Sequence, residues 1–178
     1  MIIAISGRPG SGKSVVASRV AKALGIPHVS AGDFMREMAA ERGVSILELS
    51  RLAEQDESID RQIDARSADL AERNKDFVID ARLGWYFIPE SVKVFLDVQP
   101  EVAARRIYEA RRGTERENID LEATLKAIEA RAESETRRYQ EYYGIDYTDH
   151  SQYDLVIDTS ELTIDEVVER ILGSLPEE

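Results

Sequence analysis

The sequence predicts an α/β fold, a five-stranded parallel sheet with helices on both faces. Three observations point there. Short apolar runs alternate with segments of helical periodicity along the whole chain. Two of these runs, Phe77–Asp80 and Val92–Val98, are almost unbroken, as strands covered on both faces are. The first run passes through a glycine-rich turn directly into a helix, the unit from which such sheets are wound.

Each element follows in turn. Met1–Ser6 is the first strand, leading into Gly7-Arg8-Pro9-Gly10-Ser11-Gly12. Lys13–Leu24 reads as a helix stopped by Gly25, and Pro27–Ser30 as a brief second strand. Gly32–Arg42 is helical up to Gly43. Ser45, with Glu48 three residues on, makes a capping box that opens a short helix. Ile59, Ile63 and Leu70 mark the stripe of a further helix. Phe77–Asp80 and Val92–Val98 are the third and fourth strands. A helix from Pro100 to about Arg111 precedes the polar stretch Arg112–Asn118, the best candidate for a mobile flap. A long helix then runs to about Tyr143, with Leu121, Leu125, Ile128, Ala132, Tyr139 and Tyr142 at helical spacing. Asp154–Asp158 is the fifth strand, and Thr163 with Glu166 caps a closing helix.

At 178 residues the chain is expected to form one domain, burying about 70% of its unfolded surface. No apolar stretch approaches the roughly 20 residues of a membrane helix, and no signal peptide is expected. The expectation is therefore a cytoplasmic monomer. Absence of cysteine excludes disulfides, thiolate catalysis and cysteine-ligated zinc, and His28 and His150 show no ligand spacing. Lys and Arg total 23 against 35 Asp and Glu, a net charge of −12. Such a chain repels a nucleic-acid backbone almost everywhere, so any phosphate must be held by a local array of donors.

Gly7, Arg8, Pro9, Gly10, Ser11, Gly12, Lys13 and Ser14 supply that array. They fit G-x-x-x-x-G-K-[ST] in full, after a buried strand and before a helix. The glycines let successive N–H groups turn inward on a phosphate, and the helix adds its free amides and the positive end of its dipole. In this pattern Lys13 reaches the β- and γ-phosphates of ATP and the Ser14 hydroxyl ligates Mg²⁺. No base-reading N-K-x-D of a switch GTPase is present, and the chain is short for a mechanical ATPase. A small phosphotransferase remains.

Several arginines fall where a solubilising charge would not. Arg66 lies between Ile63 and Leu70 on the inward stripe of its helix; Arg82 directly follows the third strand; Arg36 is one turn into the helix after Gly32. Phosphoryl transfer between two nucleotides gathers negative charge and needs cations over the moving group. Arg131 and Arg138, seven apart beside Glu135, are the first candidates, then Arg106 and Arg112. Asp80 closes the third strand where a carboxylate can meet Mg²⁺, with Asp97 and Asp158 as competitors. His28 reads as a packed or capped residue. Trp85, Tyr86 and Phe87 suit either base stacking or the core.

The run His28–Ala39, the segment Ile59-Asp60 through Ile63-Asp64-Ala65-Arg66, and Val78–Leu83 resemble the cytidylate kinase family, especially its short archaeal-type branch. So do Glu133-Ser134-Glu135 with Arg138-Tyr139, Tyr143–Asp146 and Tyr153–Thr159. The resemblance covers nearly the whole chain, though Ala81 stands where the family motif usually has Gly and Val15 where Thr is common. It implies the nucleoside monophosphate kinase fold: a core of 1–31, 74–110 and 119–178, a monophosphate-binding insertion at about 32–73, and a lid at about 111–118. It implies transfer of the γ-phosphoryl of ATP to CMP or dCMP with Mg²⁺. Asp33, Arg36, Arg66 and Arg82 would lie on the acceptor, and lid-side arginines on the transferring phosphate. Another nucleotide or metabolite kinase, and a regulator that binds nucleotide without transfer, remain alternatives. A structural salt bridge with one of the many carboxylates is the alternative for Arg36, Arg66 and Arg82, and the kinase reading fails if the arginines pair off with neighbouring acids and leave the cleft without a cationic lining.

Overall fold

The five expected strands form: β1 (Ile2–Gly7), β2 (His28–Ser30), β3 (Phe77–Asp80), β4 (Val92–Asp97) and β5 (Leu155–Asp158). In the computed structural model, which describes residues 1–110 and 120–176, they join one sheet in the order β2-β3-β1-β4-β5. Every pairing is parallel, with Ile5 opposite Asp80 on one side of β1 and opposite Val94 on the other.

Side-chain alternation divides the apolar residues of β1 between the two faces. Ile3 and Ile5 join Val78, Val94, Leu96 and Ile157 beneath α1 (Lys13–Leu24) and α8 (Ile164–Ser174), which contribute Val16, Val20, Val167 and Ile171. Ile2 and Ala4 face the other way, with Phe77 and Ile79 against Trp85 and Ile88. That second face is covered by α4 (Glu57–Arg73), through Leu70 and Ala71, and by α5 (Gly84–Phe87). Further along it, Phe95 packs with Tyr139 of α7 (Leu121–Tyr143) and with Tyr147. The long helix α7 in turn packs on α6 (Pro100–Glu109) through Ile128, Ala103 and Ala104.

Between β2 and β3 the chain forms α2 (Ala31–Arg42), α3 (Ile46–Ala53) and α4. These three helices have a core of their own: Met38, Ala39, Leu49, Ala53, Ile59 and Ile63. Ile59 and Ile63 therefore point inward as their spacing predicts, while Leu70, further along α4, reaches the sheet. Both predicted capping boxes are made, Ser45 with Glu48 at α3 and Thr163 with Glu166 at α8. The four-residue α5 and a single 3₁₀ turn at His150–Gln152 are additions to the sequence reading, too short to show periodicity. The expected flap Arg112–Asn118 and the predicted helix end at Arg111 lie outside the described residues. No helix among the described residues is long and apolar enough to cross a membrane.

Candidate active site

The glycine loop leaves β1 at the point where the sheet order reverses, so it opens onto the carboxyl ends of the strands. Two of its glycines are required by close approach. A Cβ on Gly7, whose φ is +148°, would lie 2.3 Å from the Leu96 carbonyl oxygen; one on Gly10 would lie 2.6 Å from the Ala103 Cβ. The loop is thus pressed onto β4 and α6, and the Arg8 amide donates to Leu96 O at 3.1 Å. Gly12, also left-handed, is the N-cap of α1 and supplies no capping side chain. No acidic residue stands in that first turn, so the amides and dipole of α1 are left for an external anion.

Lys13 stands at this helix start among charges of both signs. Burial, and then the nearby Arg82 guanidinium, lower its pKa to about 7 against the opposing pull of Asp80 and Glu135. A polyphosphate laid along the loop would restore the charged form. Arg82 is fixed from two sides. Its carbonyl accepts from Ser6 Oγ at 2.8 Å, and its Nε donates to Glu135 Oε2 at 2.6 Å. Arg131 Nε donates to the other oxygen of the same carboxylate at 3.1 Å. Burial alone would raise Glu135, but Arg82 and Arg131 overcome it and hold the acid at about 2. One buried carboxylate therefore tethers two guanidinium groups beside Lys13, an arrangement with cations in excess. The ring of fully buried Tyr147 supports it from below, 5.9 Å from the Arg82 Cζ.

Asp80 ends β3 and is buried. Its Oδ1 accepts from Ser14 Oγ at 3.3 Å and from Ser30 Oγ at 3.2 Å, and its Oδ2 lies 2.9 Å from His28 Nε2. The competing strand-end carboxylates are engaged elsewhere: Asp97 binds the Arg8 Nε at 2.8 Å and the Val98 amide, and Asp158 caps the Ser160 turn. Among the described residues no group of three or more acidic or histidine side chains forms a metal cage. A hydroxyl and one carboxylate are a set that fits Mg²⁺, which keeps waters and takes its other ligands from phosphate oxygens.

The remaining arginines differ from expectation. Arg36 pairs with Asp33, and Arg66 donates to Glu37 at 3.2 Å with its guanidinium 5.6 Å from the Phe34 ring centroid. Arg138 is buried against Asp60, its Nε 2.9 Å from Oδ2, and does not share the Glu135 cluster's geometry despite lying on the same helix face. Arg106 donates to the hydroxyl and carbonyl of Thr159, tying α6 to the end of β5. Arg112 lies outside the described residues. Arg36, Arg66, Arg82, Arg131 and Arg138 thus all have carboxylate partners, while Arg82 and Arg131, sharing one acid beside Lys13, leave the cleft a cationic lining. Arg82 and Arg138 are buried with their acids, whereas Arg36, Arg66 and Arg131 remain 40–54% exposed; with 35 acidic residues to 23 basic ones, a carboxylate lies within reach in each case.

The aromatic run divides. Trp85 is buried in the core, Phe87 packs edge-on against Tyr143, and Tyr86 is exposed. Glu135 stands out in the sequence as a carboxylate breaking the apolar stripe of α7, but its pairing with Arg82, the Asp60–Arg138 pair and the Asp64–Tyr143 contact join residues far apart in the chain, and motif reading does not supply them.

The chain has counterparts among known proteins. The profile of the cytidylate kinase-like family matches residues 2–161. A cytidylate kinase of Natronomonas pharaonis is 41% identical over 169 residues, covering 94% of this chain and 85% of the relative. One from Methanothermobacter thermautotrophicus is 43% identical over 160 residues, covering 90% and 96%. Among solved structures, an uncharacterized protein from Eubacterium ventriosum aligns with a TM-score of 0.72 at 21% identity, covering 97% of this chain and 96% of that one. Shikimate kinase from Aquifex aeolicus aligns with a TM-score of 0.58 at 24% identity, covering 98% and 95%. At that identity these two speak for the fold alone. The profile match and the full-length relatives go further: the chain belongs to the cytidylate kinase-like family.

Proposed function

We propose that this protein transfers the γ-phosphoryl group of ATP to CMP or dCMP, giving ADP and the nucleoside diphosphate. The observation that carries the reading is identity of 40–43% to proteins named cytidylate kinase across 89–98% of the chain. The site chemistry agrees with it. An acceptor phosphate monoester has a second pKa near 6, so its attacking oxygen is already ionised at neutral pH and needs no general base. That oxygen forms a bond to the γ-phosphorus as the β,γ-bridging bond breaks, and the electron pair leaves on ADP. What the protein must supply is alignment and positive charge.

In this reading the loop amides and Lys13 hold the donor phosphates, and Arg82 and Arg131 face the transferring group and the acceptor phosphate. Ser14 and Asp80 are the residues that would hold Mg²⁺, whose chemistry when bound is to neutralise the β- and γ-phosphate oxygens. The helices of residues 32–73, with Asp33, Arg36 and Arg66, form the acceptor-binding insertion, and residues 111–118 with Arg112 the lid. Arg106 and Arg138 hold the elements that frame the cleft. The carboxylate partners of Arg36, Arg66, Arg82 and Arg131 do not argue against binding, because an incoming phosphate dianion exchanges one anion for another at a guanidinium.

The test follows ADP formation with ATP and Mg²⁺ over a panel of acceptors. Transfer to CMP or dCMP and not to AMP, shikimate or sugars is expected. Equal transfer to a small metabolite, or ADP formation that ignores the acceptor, would overturn the assignment. Lys13→Ala should lower the CMP-dependent rate by roughly a thousandfold, the scale of losing one preorganised cation at the transfer point.

A further inference from the structure

We propose that His28 is a positioning residue, its imidazole holding the Asp80 carboxylate turned so that Oδ1 faces Ser14 and the cation carried by the donor nucleotide. The inference rests on the reading above that Ser14 and Asp80 receive Mg²⁺, and it assigns a function to a histidine that sequence patterns leave as packing.

The argument begins with the strand. β2 is only three residues long, His28–Ser30, and lies at the sheet edge, pairing with β3 alone. Alternation places His28 and Ser30 on one face and Val29 on the other. Val29 packs against the cluster of Phe77, Ile79 and Trp85. Register sets Ser30 opposite Asp80 and His28 opposite Val78, so both polar side chains share the face toward which Asp80 points. Both then touch the same carboxylate: Ser30 Oγ donates to Oδ1 at 3.2 Å, and His28 Nε2 meets Oδ2 at 2.9 Å.

The division of labour between the two oxygens is the key feature. Oδ1 takes the two hydroxyls, including that of Ser14 at 3.3 Å, and is the oxygen on the phosphate-loop side. Oδ2 has one side-chain partner among the described residues, the imidazole. A carboxylate held only through Oδ1 can rotate about its Cβ–Cγ bond. A second donor on Oδ2 removes that freedom and sets the direction of the remaining lone pairs. The imidazole has just 23% of its side-chain surface exposed, and the Asp80 carboxylate 5%, so water competes weakly for this contact. With Nε2 donating, the proton resides on that nitrogen. The arrangement is the outer-shell carboxylate–histidine pairing known at metal sites, here with the carboxylate rather than the histidine facing the cation.

The experiment measures cation binding without turnover. Mn²⁺ is titrated by electron paramagnetic resonance into the full-length protein saturated with a β,γ-imido ATP analogue, and analogue affinity is measured separately in EDTA. His28→Ala should weaken Mn²⁺ roughly tenfold while leaving metal-free nucleotide binding unchanged. His28→Gln, whose amide places an N–H near the position of Nε2, should recover most of that loss. In turnover, the Mg²⁺ concentration giving half-maximal rate should rise by the same factor, and kcat at saturating Mg²⁺ should stay near that of the parent. Parental Mn²⁺ affinity in His28→Ala overturns the inference, as does a Gln variant as weak as Ala, since either leaves the ring as packing. Asp80→Asn separates this failure from that of the underlying reading. Weakening in Asp80→Asn but not in His28→Ala removes only the positioning role, whereas no weakening in either removes the metal assignment as well.

Discussion

Two buried charge systems meet α7 within a few turns, and they are built on opposite principles. At the phosphate-loop corner, Glu135 is shared by Arg82 and Arg131 with Lys13 nearby, so cations outnumber the acid that holds them. At the contact with the inserted helices, Arg138 pairs with Asp60 one to one, Tyr143 donates to Asp64 at 2.6 Å, and Tyr142 donates to the Ala53 carbonyl at 2.7 Å. The first system has spare positive charge and can take an anion. The second has an added carboxylate, Asp64, and works as a fastening between α4 and α7. The acids reflect this: Glu135 is held at about 2, whereas burial, with the charge of Asp60 adding to it, lifts Asp64 to about 7 despite the Tyr143 hydrogen bond. The same helix face thus carries surplus cations at one point and fastens the inserted helices at another, and partner count rather than burial tells them apart.

The largest effect should come from removing the shared carboxylate. Glu135→Gln keeps the shape but turns an NH₂ toward one guanidinium, freeing Arg82 and Arg131 to repel each other. The expected loss in kcat/KM is roughly 100- to 1000-fold, with folded structure retained by circular dichroism. Glu135→Asp should recover part of it. Activity within a few-fold of the parent in the Gln variant would break the comparison, because the acid would then be only a space-filling group.

The next largest tests the fastening. Arg138→Met leaves Asp60 buried without its partner and should cost about 3–5 kcal/mol in denaturant unfolding. Adding Asp60→Leu removes the stranded acid and should restore most of that stability. If Arg138 acts only as a fastener, the double variant also regains transfer. A double variant that is stable yet inactive would show that Arg138 leaves Asp60 during the cycle and contacts phosphate, which would move it from the second system to the first.

The legible parts of this molecule are those encoded in neighbouring residues. The strand runs, the two capping boxes and the phosphate loop depend on contacts within a few positions, and all appear where the sequence placed them. Ser14 and Asp80 could be paired from the general habit of strand ends in open sheets. Partners distant in sequence were another matter. Arg138 finds Asp60 across 78 residues, and Arg82 finds Glu135 across 53. Helical spacing leaves a salt bridge with one of the many carboxylates open for each arginine, but it does not say which carboxylate waits there. His28 was read as packing because its partner is fixed by sheet register, which no local pattern reveals.

The smallest effect separates the two systems by the sign of their pH dependence. Glu135, with its pKa depressed, contributes stability that is complete above its ordinary value of 4.5 and lost as pH falls toward 2. Asp64 does the reverse. Below its ordinary value of 3.8 it is protonated in both states; between there and about 7 the folded protein keeps a proton that the unfolded chain has released. Stability therefore falls as pH rises through that window, by at most about 1.4 kcal/mol per unit. Asp64→Asn accepts the Tyr143 hydroxyl through its carbonyl oxygen and cannot ionise. It should match the parent near pH 3.5 and exceed it by up to about 4 kcal/mol at pH 8, measured by urea unfolding at each pH. Glu135→Gln, measured alongside, should show its deficit at pH 8 and lose it toward pH 2–3. Parallel profiles for the Asp64 variant and the parent between pH 4 and 7 would mean that Asp64 is solvated rather than part of the fastening. The insertion would then be held to α7 chiefly by the Asp60–Arg138 pair, and the contrast between the two ends of the helix would reduce to a single salt bridge.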